Sequence, residues 1–387
     1  MSNSVKKKII FISHESSLTG APVMLLNLLS LLKGTNLFDI HIILFRGGTL
    51  EKEFYKYGKV SVLKSKDYSK QAFLLFRGVN FLIFRIRLLL LPGKIKDAEI
   101  IFNNTITNGK ILRWLLGSRA KVVSYIHELE SVIQKYPKDS ELTIRYSDLL
   151  ICPSNIVAQN LITNHQIPKK KLAFLNYYFP LTYLNPRGLT KNTSRKSFRG
   201  GFQFSENKFY VVAMGWATYR KGIDIFVDAA RITKYLNQNI HFVWIGDFLD
   251  EEIKIKIENE IAMHQLESIM TITGELPHSL ENLLPFDLFI LSSREDPYPL
   301  VVLEAALAKI PSVCFANTGG AQEFIGDDCG WIVDEISSEK LSKKIIEIEN
   351  QKEEIKKRGA NAFEKCMKLH TDKELIINQF NAILEKL

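Results

Sequence analysis

Short apolar runs alternate with helix-patterned segments from the start of the chain. KKIIFIS (7–13), DIHIILF (39–45), a weaker VSVL (60–63), AEIIF (98–102), KVVSYI (121–126) and DLLICPS (148–154) have strand length and are apolar almost throughout. APVMLLNLLSLLK (21–33), after the first of them, has helical spacing. Strands apolar on both faces and separated by helices predict a parallel sheet covered on each side. Residues 1–175 are therefore expected to form one doubly wound α/β domain. The alternation stops over 176–207, where Gly, Pro, Asn, Ser and basic residues accumulate without a period, as in a linker or an exposed excursion. It restarts with FYVVAMG (209–215), IDIFVDAARITKYL (223–236), IHFVWIG (240–246), MTITG (270–274), DLFILSS (287–293), PLVVLEAALA (299–308) and PSVCFA (311–316), predicting a second doubly wound domain over 208–370. The remainder, with 371–387 last, reads as successive helices.

Composition agrees with two such domains. The 387 residues are 46% hydrophobic and 24% charged, too apolar for a disordered chain and too long for one ordinary core. Cys152, Cys314, Cys329 and Cys366 show no CxxC or metal-ligand spacing, and the apolar stretch of MSNSVKKKIIFISHE is shorter than a signal peptide requires. A reducing, cytoplasmic location is the expectation.

Charge is divided unevenly. Residues 1–200 hold 31 Lys and Arg against 12 Asp and Glu, a net +19, whereas 201–387 carry a net −10. A basic first half suggests an anionic partner, nucleic acid or a membrane surface. The densest stretch, Leu149 to Ser205, includes Lys169, Lys170, Lys171, Arg187, Lys191, Arg195, Lys196 and Arg199 with no acidic residue. No RNP-like aromatic motif, zinc-finger spacing or leucine zipper accompanies it, which disfavours nucleic acid. QAFLLFRGVNFLIFRIRLLLLPGK (71–94) mixes apolar residues with Arg77, Arg85 and Arg87, which argue against a membrane-spanning helix. It suits either an interfacial helix on anionic headgroups or an ordinary helix packed on a sheet.

In open α/β sheets ligands bind beyond the carboxyl ends of the strands, so the loops after strands carry the candidate chemistry. SHESSLTGAP follows the first strand and puts Gly20 before a helix, where backbone N–H groups can receive a phosphate or serve only a turn. GWATYRKG (215–222) sets Arg220 and Lys221 at a helix start, where cations oppose the dipole unless an anion answers both. In SSREDPYPLVVLEAALAKIPSVCFANTGGAQEF (292–324), the helix expected from Leu300 offers the N–H groups of Leu300 and Val301 to phosphate. It also carries Glu304 among apolar neighbours, where a carboxylate needs a partner. Gly319 and Gly320 permit close backbone approach one strand later. His127 and Glu128 end the strand VVSYIHELE. GxGxxG is absent, which disfavours a nicotinamide dehydrogenase.

Together, SREDPYPLVVLEAALAKIPSVCF with TGGAQEF, the RKG after GWATY, SYIHELE and SHESSLTGAP resemble the retaining glycosyltransferases of family 4, among the glycosyl transferases group 1. The resemblance implies the GT-B fold of two Rossmann-like domains facing across a cleft, with the final helix crossing back to the first. It implies transfer of a sugar from a nucleotide-diphosphate donor with retention, without an essential metal or cofactor, to a glycan or lipid-linked glycan acceptor in cell-surface polysaccharide synthesis.

By the same resemblance, the family's Glu, seven residues, Glu signature falls on Asp296, preceded by Glu295, and on Glu304. His127 stands beside the donor sugar, Gly20 and Ala21 under the phosphates, Arg220 and Lys221 on the diphosphate, Glu304 and Gly274 at the nucleotide ribose, and Gly319 and Gly320 in a loop near the donor. The family's Arg after the strand-end glycine is Trp216 here. A membrane-facing first domain on the inner face of the cell membrane fits such acceptors. The rival readings are a catalytically idle paralogue binding within a polysaccharide assembly complex and a GT-B sugar-nucleotide epimerase or phosphorylase.

Overall fold

The computed structural model describes residues 6–64, 83, 86–87, 89–91, 97–115, 119–183, 190–198, 203–205, 207–276 and 280–387. The chain divides into two compact units, Met1–Pro180 with Asp372–Leu387, and Leu181–Thr371.

The first unit is built on seven parallel strands in the order β3-β2-β1-β4-β5-β6-β7. They are β1 (Lys7–Ser13), β2 (Phe38–Arg46), β3 (Lys59–Lys64), β4 (Ile100–Asn103), β5 (Lys121–Tyr125), β6 (Leu149–Cys152) and β7 (Leu172–Phe174). Ile9 to Ile12 are fully buried, as expected for a central strand covered on both faces. One core layer joins Ile10 and Ile12 to Leu112 and Leu115, and another joins Ile126 and Leu150 to Val157 and Leu161. The helix Lys373–Glu385 also belongs here, with Phe380 fully buried and its ring 5.9 Å from Phe38 and 6.0 Å from Phe102.

The second unit repeats the plan with six parallel strands in the order β10-β9-β8-β11-β12-β13. They are β8 (Phe209–Met214), β9 (Ile240–Ile245), β10 (Met270–Ile272), β11 (Leu288–Leu291), β12 (Ser312–Phe315) and β13 (Gly330–Val333). The helix Ile223–Leu236 buries Ile223, Phe226, Val227 and Ala230, a three- and four-residue spacing that puts one face on Phe242 and Trp244. In each sheet the strand order reverses beside the first strand, between β1 and β4 and between β8 and β11. Those switch points set the loops after β1 and β4, and after β8 and β11, side by side.

Several elements lie outside the sequence expectation. β7 and β13 have three and four residues, too short for a visible alternation. Within 176–207, Lys191–Ser197 is a helix fastened to the second unit. Its Arg195 donates to Asp287 at 2.9 Å and to the Pro285 carbonyl at 2.9 Å, and lies over the Tyr210 ring. Of the 71–94 stretch, Arg77 and Arg85 fall outside the described residues. Arg87 donates to the Val62 carbonyl at 3.0 Å, Leu91 is buried, and Ile83, Ile86, Leu89 and Leu90 are exposed. No described helix is long and apolar enough to cross a membrane.

Candidate active site

In the second unit, two loops at the switch point are laced together backbone to backbone. Gly222 sits at φ +72°, and a Cβ there would stand 2.0 Å from the Ser292 carbonyl oxygen, so only glycine lets the chain turn into the helix Ile223–Leu236 this close to β11. Across that contact the Arg294 N–H donates to the Arg220 carbonyl at 2.8 Å, and the Ser292 hydroxyl to the Lys221 carbonyl at 3.0 Å. Arg294 grips the same turn from outside. Its guanidinium donates to both Asp224 carboxylate oxygens at 2.8 and 2.6 Å and to the Tyr219 carbonyl at 2.6 Å, with the Tyr219 ring 3.6 Å away. The Asp224 carboxylate holds the guanidinium above its ordinary pKa.

The sequence-predicted cations fall within this lattice. Arg220 donates to the Glu295 carbonyl at 2.6 Å, and Lys221 pairs with Asp296 at 2.5 Å. The anion expected from two cations at a helix start is thus supplied in part by the protein, through Asp296, which is 7% exposed. The backbone of Asp296 binds the next loop. Its N–H donates to the Thr318 carbonyl at 2.8 Å, its carbonyl accepts from the Gly320 N–H at 3.1 Å, and a Cβ on Gly319 would come within 1.7 Å of that carbonyl oxygen. Arg220, Lys221, Glu295, Asp296, Gly319 and Gly320 are therefore one constellation.

Leu300 and Val301 open the helix Leu300–Leu307, whose N-cap position is Pro299. Since Pro299 provides no side-chain cap, the helix's first N–H groups point out of the helix start without an intrahelical acceptor. Glu304 is buried one turn in, and its carboxylate, after burial itself, pushes the Cys366 thiol up. Trp216 is 39% exposed. Gly274 stands apart, at the end of the edge strand β10 with β9 and β8 between it and β11, and accepts from the Gly246 N–H at 2.9 Å.

In the first unit, Gly20 and Ala21 begin the helix Gly20–Thr35, whose N-cap Thr19 makes no side-chain cap. Just upstream, Glu15 accepts from Ser17 at 2.6 Å and Thr19 at 3.2 Å. His14, 3.6 Å away, and then these bonds outweigh partial burial and lower its carboxyl to about 2. His127 is held at both ring nitrogens, by Tyr177 at 2.8 Å and by Asn104 at 3.0 Å, and packs 4.2 Å from the Tyr125 ring. Burial, then the proximity of His14, lowers its pKa to about 3, so the imidazole is neutral at physiological pH. Burial raises the Glu128 carboxyl. This carboxyl accepts from the Thr105 hydroxyl and from the Ile106 and His127 N–H groups, bracing the loop after β4.

Sequence reading missed Asn104, Tyr177, Arg294 and Asp224. The Asn pair after AEIIF stood at a strand end and was a usable signal. Tyr177 is fifty positions from His127, beyond any local pattern.

The two sheets are those of known glycosyltransferase structures. HepE of Anabaena, solved with UDP and glucose, matches with a TM-score of 0.80 over 98% of this chain and 100% of that one at 17% identity. The molecule therefore has the GT-B fold, two Rossmann-like α/β domains, as the resemblance implied. Residues 194–365, most of the second unit, match the family model Glycosyl transferases group 1. Among curated proteins, the GPI3 subunit of the Saccharomyces cerevisiae phosphatidylinositol N-acetylglucosaminyltransferase is 22% identical over 48% of the chain. The putative colanic acid biosynthesis glycosyltransferase WcaL of Escherichia coli is 22% identical over 60%. The matches span 39% and 56% of those two proteins.

Proposed function

We propose that the chain is a retaining glycosyltransferase of family 4 that moves a sugar from a nucleotide diphosphate to a glycan or lipid-linked glycan in cell-surface polysaccharide synthesis. The observation that carries this reading is the constellation of Arg220, Lys221 and Asp296 beside the uncapped start of the helix Leu300–Leu307, at the switch point of the unit that matches glycosyl transferases group 1. Cations and outward N–H groups answer the charge that grows on a departing diphosphate. The carboxylates of Asp296 and Glu304, with Glu295 adjacent, suit sugar and ribose hydroxyls, and Gly319 and Gly320 hold a loop near the donor tightly against the Asp296 backbone.

In the proposed reaction the bond from the anomeric carbon to the diphosphate oxygen breaks and the acceptor oxygen bonds to that carbon on the same face. The acceptor proton passes to the departing phosphate. A neutral His127 does not repel the positive charge that develops on the sugar. Neither metal nor cofactor enters this scheme.

The first domain's basic surface and the exposed Ile83, Ile86, Leu89 and Leu90 support docking on anionic lipid at the inner face of the membrane. Flotation with anionic and neutral liposomes tests that part. Equal binding to both, with or without Arg77, Arg85 and Arg87, refutes it.

The donor site is tested by a thermal-shift panel of sugar nucleotides with EDTA present, since a ligand of the native state raises the melting temperature. Stabilisation by one nucleotide family, lost in Glu304→Ala and Lys221→Ala, is the expected result. No shift with any sugar nucleotide, with or without added divalent cation, overturns the donor site and favours the idle paralogue.

A further inference from the structure

We infer that Asn104 is a positioning residue that decides which nitrogen of His127 carries the proton and ties that ring to the first turn of the helix Gly20–Thr35. Asn104 lies one residue beyond β4 and is 1% exposed, and its backbone N–H donates to the Ile12 carbonyl at 2.9 Å, which pins it to the end of β1. Its Nδ2 stands 2.7 Å from the Ala21 carbonyl oxygen. A carbonyl only accepts, so the NH2 group faces Ala21 and Oδ1 faces His127 Nε2, 3.0 Å away. An amide oxygen also only accepts, so Nε2 bears the proton. In the neutral ring Nδ1 is then a lone pair, and the Tyr177 hydroxyl at 2.8 Å donates to it.

The donor directions run one way, from Tyr177 O–H to Nδ1, from Nε2–H to Asn104, and from the Asn104 amide to Ala21. This relay joins the start of the helix Gly20–Thr35 to the segments after β4, β5 and β7. Its inner end is a buried amide between two fixed partners. Its other end is the hydroxyl of Tyr177, a residue only 5% exposed. The assignment of the proton does not rest on the proposed function.

The test is the imidazole 1H–15N spectrum of the full 15N-labelled chain near neutral pH, with His127 assigned by the signals lost in His127→Gln. The expected wild-type spectrum has a protected Nε2 proton and an unprotonated Nδ1. Asn104→Ala is expected to lose the protected proton to solvent exchange, and Tyr177→Phe to keep it. A wild-type ring protonated on Nδ1, a protected proton surviving in Asn104→Ala, or its loss in Tyr177→Phe overturns the inference. If Asn104→Ala does not fold, Asn104→Asp replaces it. The carboxylate keeps the acceptor at Nε2 but loses the bond to Ala21, so the proton should remain protected, and its loss overturns the inference equally. No sugar nucleotide enters the measurement, so failure here and failure of the donor panel are separately visible.

Discussion

Lys221 Nζ stands 2.5 Å from the Asp296 carboxylate, joining the turn after β8 to the turn after β11 through side chains of which 19% and 9% is exposed. The pair lies where the proposed diphosphate and sugar would meet, so Lys221 has an internal anion to exchange for a ligand's.

Removing Lys221 should therefore have two effects. Lys221→Met leaves Asp296 buried without its cation, and unfolding stability of the second unit should fall by about 2–4 kcal/mol. Lys221→Met with Asp296→Asn should recover most of that loss. Affinity for the nucleoside diphosphate selected by the donor panel should fall about 10- to 100-fold in either variant, one charge-assisted hydrogen bond being worth ~1.5–3 kcal/mol. Urea denaturation and titration calorimetry read the two effects separately. Recovery of stability together with affinity in the double variant contradicts a phosphate role for Lys221.

Gly222 and Gly274 have nearly the same backbone, φ +72° and +69°, in different surroundings. Gly222→Ala meets the Ser292 carbonyl oxygen and should cost well over the ~1–2 kcal/mol of the left-handed conformation alone, and separate the two laced turns. Gly274→Ala has nothing within 4 Å and should cost only that backbone amount. Loss of nucleotide affinity in a stable Gly274→Ala supports its placement at the ribose. Unchanged affinity removes Gly274 from the site.

The neutral His127 sets a pH dependence. Its folded pKa, about 3, lies below the ordinary 6.5, so between those values the unfolded chain binds the extra proton and stability falls as pH drops from 6.5 toward 3. Glu128 acts in the opposite sense. Its raised carboxyl keeps the proton in the folded state, a contribution present below the unfolded pKa and lost as pH rises through the folded value. His127→Gln should lose less stability than the wild type on acidification from pH 7 to pH 4, as measured by urea denaturation across that range. Parallel curves for the two proteins refute the assignment.

Arg195→Ala separates stability from ligand binding. Losing the bonds to Asp287 and Pro285 and the packing over Tyr210 should cost about 1–3 kcal/mol, while nucleotide affinity stays unchanged, because Arg195 lies on the helix Lys191–Ser197 and none of its bonds reaches the candidate site. A fall in affinity without loss of stability runs against this placement.

The doubly wound plan and the loops that matter follow from the pattern of residues along the chain. Apolar runs such as KKIIFIS and FYVVAMG can be buried only inside a covered sheet, and a helix start near Leu300 was legible because a Pro-containing loop precedes an apolar helical run. That pattern also marked Arg220, Lys221 and Asp296. That Lys221 is answered by Asp296, that Arg294 clamps the turn through Asp224, and that Asn104 and Tyr177 hold the two nitrogens of His127 were decided only by tertiary structure. The partners lie 75, 70, 23 and 50 positions apart, and strand order, not local spacing, brings such positions together. Local periodicity shows which face of an element is buried. Which polar groups meet at the ends of the strands depends on which strands are neighbours, and no single segment contains that information.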